Sequence, residues 1–167
     1  SEVYGSCSEP VSEHSPLAPT SPYSVSKAAF DQHLVAMHKV KGLPYKIIRP
    51  SNCFSEGQQL HRIIPKAIIH GLTKKKLPLH GGGLARKSYL HSDDLSNAIL
   101  RVIEAGRYGE IYNVGPDQPT SIRDVVELCI EATGASFEEL VEIAPERTGQ
   151  DYQAPSKNQQ QRLSQLC

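Results

Sequence analysis

The chain has 167 residues, of which 38% are hydrophobic and 22% are charged, and its 18 basic side chains are balanced by 18 acidic ones. This length suits one ordinary globular domain or a piece of a larger one, and zero net charge gives no general attraction to nucleic acid or anionic membranes. No apolar run approaches the ~20 residues that span a bilayer, and nothing at the N-terminus resembles a signal peptide, so we expect a cytoplasmic protein that binds neither nucleic acid nor membrane.

The four cysteines are scattered along the chain, with no C-x-x-C pair and no paired Cys/His spacing: Cys7, Cys53, Cys129 and Cys167. This pattern predicts neither a metal site nor a disulfide framework, and reduced thiols are the expectation. Cys53 in particular is expected to pack as a small apolar side chain, because no His/Asp pair that would activate it is recognisable.

From about residue 22, helical and extended patterns alternate, which indicates an α/β or α+β protein. The first helix is well marked, since Ser21 can cap it, Pro22 occupies its first position and Gly42 ends it. The elements expected after it are a strand at 45–49, a helix from Pro65 to near Gly71, strands at 77–80 and 88–91 around the turn at 81–83, a helix at 95–105 and a strand at 110–114.

Two later helices carry start signals. Asp93 or Asp94 can cap the helix that Gly106 ends, and Ser121 with Asp124 resembles a capping box for a helix through residue 132. Residues 150–158 are expected to be loop, followed by a weak helix. Residues 1–5 look like the end of a strand.

The sharpest local feature is the pair Tyr23 and Lys27, which lie one turn apart on one face of the first helix. A free tyrosine has a pKa of ~10, so acting as a base near neutrality requires a drop of ~3 units, worth ~4 kcal/mol. A neighbouring ammonium stabilises the phenolate and lowers that pKa. Taken alone, the pair also fits a solvated helix face.

The pair stands in an ordered series of motifs that covers nearly the whole chain: Ser1-Glu2-Val3-Tyr4-Gly5, Arg49-Pro50-Ser51-Asn52, Leu77 to Gly83, Tyr89 to Leu95, Gly109 to Gly115, and Arg147-Thr148-Gly149-Gln150-Asp151. The series resembles the extended short-chain dehydrogenase/reductases, specifically the NAD-dependent nucleotide-sugar epimerases and dehydratases. The resemblance implies an α/β fold, the C-terminal part of a doubly wound Rossmann domain in residues 1–55, with a smaller mixed α/β substrate domain mainly in 56–167.

In such a protein Tyr23 would exchange the proton of a sugar hydroxyl, and Lys27 would lower its pKa and hold the nicotinamide ribose of NAD. Pro50 would lie with them in the cofactor site. Glu2 matches the glutamate with which glucose 4,6-dehydratases remove the C5 proton, while Ser1 stands where they carry an aspartic acid that donates to the leaving hydroxyl. Without the resemblance, Glu2 would be read as a helix-capping or solvent-facing residue.

The resemblance leaves three hypotheses open: a 4,6-dehydratase, a 4-epimerase or sugar-acid decarboxylase, or a protein without catalytic activity. Glu2 favours a 4,6-dehydratase, since a 4-epimerase needs no second base, but sugar-acid decarboxylases also show Ser-Glu here. The third alternative is an inactive fragment that binds a nucleotide sugar or docks on a protein that carries the other half.

The resemblance also implies a nucleotide-sugar site, with no metal, in which Asn52, Arg62, Lys87, Arg147 and Asp151 contact the diphosphate and ribose. Pro78 and His80 would pack the base. Lys87 stands where an arginine is usual, so it loses the planar fork that grips a diphosphate, and Arg86 beside it is a possible replacement. The basic side chains also fit ordinary solvated surface charges.

The dinucleotide fingerprint of the family, a G-x-x-G-x-x-G after the first strand, does not occur in the 167 residues. We therefore expect the C-terminal half of a longer enzyme that is a homodimer when complete. On its own, the chain is expected to be catalytically inactive.

Overall fold

The computed structural model describes residues 2–7 and 11–145. Ser1, Arg147 and Asp151 of the predicted site lie outside these residues, as do the predicted loop at 150–158 and the weak helix after it. The chain begins with a 3-10 turn at Glu2–Tyr4, and a second one occupies Gly81–Gly83. The helices and strands, in chain order, are α1 (Pro22–Lys41), β1 (Lys46–Pro50), β2 (Asn52–Phe54), α2 (Ile63–Thr73), β3 (Leu77–His80), β4 (Arg86–Lys87), β5 (Tyr89–His91), α3 (Ser92–Ala105), β6 (Glu110–Val114), β7 (Thr120–Ser121), α4 (Ile122–Glu131), α5 (Phe137–Leu140) and β8 (Val141–Ala144).

The strands form pairs, most of them parallel. β1 pairs with β6, β2 with β5 and β3 with β8 in parallel, whereas β4 and β7 are antiparallel. Parallel neighbours need long connections, which here contain helices, so the alternation of helix and strand seen in the sequence becomes an α/β layering. Within the described residues, 2–7 and 11–145, no helix is long and apolar enough to cross a lipid bilayer.

The apolar side chains gather in separate clusters. The largest lies between α2, α4 and β3, and its central members are completely buried: Ala67, Leu77, Val126 and Ile130. A second cluster joins α3 to β5 and β6 through Leu90, Ala98 and Val114. A third packs the first 3-10 turn onto α1 through Val3, Tyr4 and Ala28. A cleft lies between these clusters.

Helix starts and stops followed the capping signals closely. α1 is capped by Ser21, whose hydroxyl accepts a hydrogen bond from the Ser24 N–H, and it ends at Gly42 in the left-handed conformation. α4 is capped by Ser121, which accepts from the Asp124 N–H. The strand predicted at 110–114 is β6, and the strand predicted at 45–49 forms one residue later as β1.

Other boundaries were predicted wrongly. α2 begins at Ile63, so Pro65 lies inside its first turn, where its missing N–H has no helical acceptor. Gly71 does not end this helix but lies within it, buried against Thr133 of the loop after α4. α2 ends at Lys74, which adopts the left-handed conformation.

Two further expectations were wrong near strand ends. Neither Asp93 nor Asp94 caps α3, because the chain passes from β5 directly into the helix and the capping position falls on His91, whose ring accepts from the Asp93 N–H. Residues 2–4 form a 3-10 turn and not a strand, closed by the Gly5 N–H donating to the Glu2 carbonyl at 3.2 Å. Sequence reasoning did not find α5 or the short strands β2, β4, β7 and β8.

Candidate active site

One cleft with a volume of about 1300 Å³ opens between the clusters. Every predicted site residue that the structure describes lines it: Glu2, Tyr23, Lys27, Pro50, Asn52, Arg62, Pro78, His80 and Lys87. These residues come from six different elements, from the first 3-10 turn to β4. The fold therefore gathers into a single space residues that are far apart in the sequence.

The Tyr23–Lys27 pair stands at the beginning of α1. The reciprocal bonds between Ser21 and Ser24 fix this helix start, and Ser24 is completely buried beneath it. Tyr23, the next residue before Ser24, is 62% exposed and lines the cleft. The Nζ atom of Lys27 lies 5.4 Å from the centre of the Tyr23 ring, so an ammonium and a phenol share one face of the helix.

Glu2 enters the same cleft from the first 3-10 turn. Val3 is buried and its carbonyl accepts from the Ala18 N–H at 3.0 Å, which holds the turn against the loop before α1. Gly5 closes the turn with a φ of 69°, and a Cβ atom there would collide with the carbonyl of Ala18. The turn that brings Glu2 to the cleft consequently requires glycine at position 5.

A buried polar network holds this turn to α1 and the central strands. Arg49 of β1, only 4% exposed, donates to the Asp31 carboxylate of α1 at 2.8 Å and to the Tyr4 hydroxyl at 2.6 Å. Tyr4 donates in turn to the Asn113 side chain of β6 at 2.8 Å, and the Asn113 N–H donates to Glu13 at 3.0 Å. Burial raises the pKa of Tyr4, so this hydroxyl stays protonated and donates.

Sequence reasoning gave Arg49 no role beyond membership of a motif and did not single out Asp31. The sequence did carry one indication of this Arg49–Asp31 pair. An arginine in an apolar strand must meet a buried counterion, and a carboxylate on the inner face of α1 supplies it.

The cleft is rich in cations. Besides Lys27 it is lined by Arg62 at the start of α2, Lys66 within α2 and Lys87 of β4. Lys66 was not predicted from the sequence. Among the residues that the structure describes, the lining carboxylates are Glu2 and Asp31, and Arg49 neutralises the second. An excess of positive charge attracts an anionic ligand.

Arg86 does not replace Lys87 in the cleft. Neighbouring strand residues point to opposite faces, and the Arg86 guanidinium donates to the Pro119 carbonyl at 2.6 Å. Lys87 lines the cleft and Arg86 does not.

Polar atoms next to β1 and β2 face the same space. The Ser51 hydroxyl oxygen is buried and has no hydrogen-bond partner within the described parts of the chain. Asn52 follows it, and its side-chain amide makes a long contact of 3.4 Å to the Ser88 carbonyl. Burial raises the pKa of the neighbouring Cys53 thiol, which disfavours a nucleophilic thiolate and agrees with a packing role.

β3 forms the far wall. Pro78 and His80 lie on its cleft face, while Leu77 and Leu79 alternate into the core. The Nδ1 atom of His80 lies 2.8 Å from the Pro145 carbonyl, which can only accept, so this nitrogen carries the proton. Burial raises the pKa of Tyr89, which lines the cleft nearby, to about 12.

The triple glycine is a turn, as predicted, and not a phosphate cradle. Gly81–Gly83 form the second 3-10 turn between β3 and β4, and a Cβ atom on Gly83 would come within 2.8 Å of the Arg123 backbone nitrogen. In the described residues no group of three His, Cys, Asp or Glu side chains is placed to hold a metal ion.

Residues 1–115 match the family model described as the NAD dependent epimerase/dehydratase family. The chain belongs to that family. Among curated relatives of this epimerase/dehydratase chain, dTDP-glucose 4,6-dehydratase of Streptomyces griseus is 38% identical over 151 residues, which are 90% of this chain and 46% of the relative. The human dTDP-D-glucose 4,6-dehydratase is 32% identical over 164 residues, with 95% and 47% coverage. The chain thus spans about half the length of the curated relatives it matches.

Solved structures agree with the family assignment. The dTDP-glucose 4,6-dehydratase of Bacillus anthracis in complex with NAD is 35% identical, with a TM-score of 0.90 over 99% of this chain and 52% of that one. UDP-glucose 4-epimerase of Thermus thermophilus, also solved with NAD, is 25% identical with a TM-score of 0.87. The predicted fold class, part of a Rossmann-like α/β structure, is confirmed, whereas the division at residues 55 and 56 stays a prediction.

Proposed function

We propose that this chain is the substrate-binding half of an NAD-dependent nucleotide-sugar 4,6-dehydratase and carries its acid–base residues. The observation that carries the proposal is the shared cleft, because the Tyr23–Lys27 pair and the Glu2 carboxylate line one space. A tyrosine with an ammonium one turn away suits proton removal from a hydroxyl. A second carboxylate adds a base for a carbon acid, which hydride transfer alone does not need.

Each proton transfer of this reaction is assigned to one residue. Tyr23 takes the proton of the C4 hydroxyl as C4 becomes a ketone, and Lys27 stabilises the phenolate through its positive charge. The ketone acidifies the C5 hydrogen, and Glu2 removes that proton as the C6 hydroxyl leaves as water. Glu2 then returns the proton to C5 when C6 receives the hydride. Ser1, which lies outside the described residues, would donate to this leaving hydroxyl.

The residues present fit a nicotinamide cofactor. The buried Ser51 hydroxyl has no partner in residues 2–7 and 11–145 and lies on the same wall as Pro50, so it suits a polar ligand group such as a carboxamide. NAD held there would supply the hydride chemistry, by which a hydride is removed from C4 and placed on C6. Lys27, Tyr23 and Pro50 are the residues we assign to its nicotinamide and ribose.

The nucleotide end is assigned to the opposite side of the cleft. Arg62 and Lys87 supply positive charge for a diphosphate and Asn52 supplies an amide, while Pro78 and His80 offer a flat surface for the base. Arg147 and Asp151 are proposed to complete the site. For the whole protein we propose a homodimer in the cytoplasm, on the family resemblance alone.

The test is the mass of the product. The longest polypeptide that the gene encodes is purified and supplied with NAD and dTDP-glucose, UDP-glucose or UDP-glucuronate. We expect loss of one water from a nucleotide glucose. An unchanged mass with an inverted C4 would support a 4-epimerase instead, and loss of carbon dioxide from the uronate would support a decarboxylase.

Two variants separate the roles within that experiment. Tyr23→Phe is expected to abolish all turnover, because no group is left to take the hydroxyl proton. Glu2→Gln is expected to abolish water loss while leaving oxidation at C4, seen as cofactor absorbance at one turnover or less. Water loss that survives Glu2→Gln would contradict the assignment. The 167-residue chain alone, which has no dinucleotide fingerprint, is proposed to bind nucleotide sugar without turnover.

A further inference from the structure

Lys66 occupies a position in the cleft that no sequence motif indicated. It lies four residues after Arg62, which directly precedes α2, and the Lys66 N–H donates to the Arg62 carbonyl at 3.0 Å. Both line the cleft, and Lys66 is half-buried whereas Arg62 is exposed. The start of α2 therefore brings two cations to the lining of the cleft.

The charge of Lys66 is not compensated by the protein. In the described parts of the chain, its ammonium forms no ion pair and no recorded hydrogen bond, although other cations do, such as Arg49 with Asp31 and Lys76 with Glu142. A cation that lines a cleft without a protein counterion attracts an anionic ligand. A ligand anion in the cleft supplies that charge.

We infer that Lys66 is a third phosphate-binding cation, acting with Arg62 and Lys87 on the diphosphate of the ligand. The inference rests on the proposed function and extends it to a residue outside the predicted site. Lys87 is a point charge without the bidentate fork of an arginine, and Arg86 is committed to the Pro119 carbonyl. A second ammonium from α2 makes up for the missing contacts.

The experiment is calorimetric titration of the 167-residue chain with inorganic pyrophosphate, UDP, dTDP and uridine. Lys66→Gln is expected to weaken pyrophosphate and nucleoside diphosphate binding about tenfold, or about 1.4 kcal/mol, and to leave uridine binding unchanged. Lys66→Arg keeps the charge and should bind within about twofold of the native chain. Lys75→Gln, an exposed lysine that does not line the cleft, is the charge-matched control and should also stay within about twofold.

The outcomes separate this inference from the proposed function. Pyrophosphate binding that depends on Lys66, with no added affinity for UDP or dTDP, supports the anion site and counts against a nucleotide ligand. Nucleoside diphosphate binding that is equal in Lys66→Gln and Lys75→Gln overturns the role of Lys66 and leaves the nucleotide ligand standing. Failure of every phosphate ligand to bind overturns both. Thermal melting of each variant checks that it folds.

Discussion

At the scale of single residues, Arg49 makes the hydrogen bonds that hold the elements around the candidate site together. Its guanidinium joins Asp31 of α1 to Tyr4 of the turn that carries Glu2, so one side chain links the helix of Tyr23 to the turn of Glu2. Removing it leaves the Asp31 carboxylate in a buried position without a counterion. Losing one partner of a buried ion pair costs about 3–5 kcal/mol.

We therefore expect Arg49→Ala to lower the free energy of unfolding by about 3–5 kcal/mol, measured by urea denaturation. Arg49→Lys should recover part of this loss, since it keeps a charge but not both contacts. Arg101→Ala, on the exposed side of α3, is the control and should cost less than about 1 kcal/mol. Equal midpoints for Arg49→Ala and Arg101→Ala would mean that the network contributes nothing.

Tyr89 makes the stability of the chain fall at high pH. Burial raises its pKa to about 12 in the folded state, against about 10 when unfolded, so the folded state holds the phenolic proton to higher pH. Its contribution is fully present below pH 10 and is lost as the pH rises from about 10 to about 12. Tyr89→Phe removes this titration.

The measurement is the melting temperature between pH 9 and pH 12. Tyr89→Phe is expected to lose less stability over that interval than the native chain does. Tyr108→Phe serves as the control because Tyr108 is 68% exposed, and its profile should follow that of the native chain. Parallel profiles for all three proteins would refute the assignment to Tyr89.

Residues with a chemical signature could be predicted from the sequence, and residues that act by position could not. Tyr23, Lys27 and Glu2 stand in motifs that the family shares, and all three reach the cleft. Lys66 stands in no such motif, and Ser51 stands in one but was given no role from it. Their proposed roles depend on burial and on where the fold places them along the cleft. The catalytic roles of all these residues stay predictions until activity is measured.

At the scale of elements, α2 and α4 depend on a close approach at Gly71. A Cβ atom there would collide with the Thr133 hydroxyl after α4. Helix propensity alone favours alanine over glycine by about 1 kcal/mol, so propensity and packing predict opposite signs. In a close-packed interior, added volume costs about 1–3 kcal/mol, and packing should prevail.

Gly71→Ala is accordingly expected to destabilise the chain in chemical denaturation. In a Thr133→Ala background, where the colliding hydroxyl and methyl are absent, the same change should cost less or become stabilising. This double-mutant cycle isolates the contact between the two positions. A stabilising Gly71→Ala in the native background would show that the helices separate freely.

Elements that carry their own capping signals were predicted better than elements that exist through pairing. α1 and α4 begin where Ser21 and Ser121 accept backbone hydrogen bonds, a local effect that sequence displays. β8 forms only because β3, more than sixty residues earlier, offers it a parallel edge. Short strands such as β2 and β7 contain too few residues for a period-two pattern to emerge.

At the scale of the whole molecule, the cleft lies between packing clusters that share few side chains. Its walls come from the turn and α1 on one side and from α2, β3 and β4 on the other. A ligand that touches both walls adds contacts between the elements that form them. Binding should stabilise the folded chain as a unit.

Addition of UDP is therefore expected to raise the melting temperature of the chain, with a gain of about 2.7 kcal/mol at a hundredfold excess over the dissociation constant. Because Arg62, Lys66 and Lys87 are the cations proposed to attract the diphosphate and all line the cleft, the shift should shrink as the Debye length falls from about 10 Å at 0.1 M salt to about 3 Å at 1 M. Uridine, which has no phosphate, should give a smaller shift with little dependence on salt. A UDP shift that is unchanged at 1 M salt would mean that the base and ribose contacts dominate, and that the cations of the cleft serve some other group.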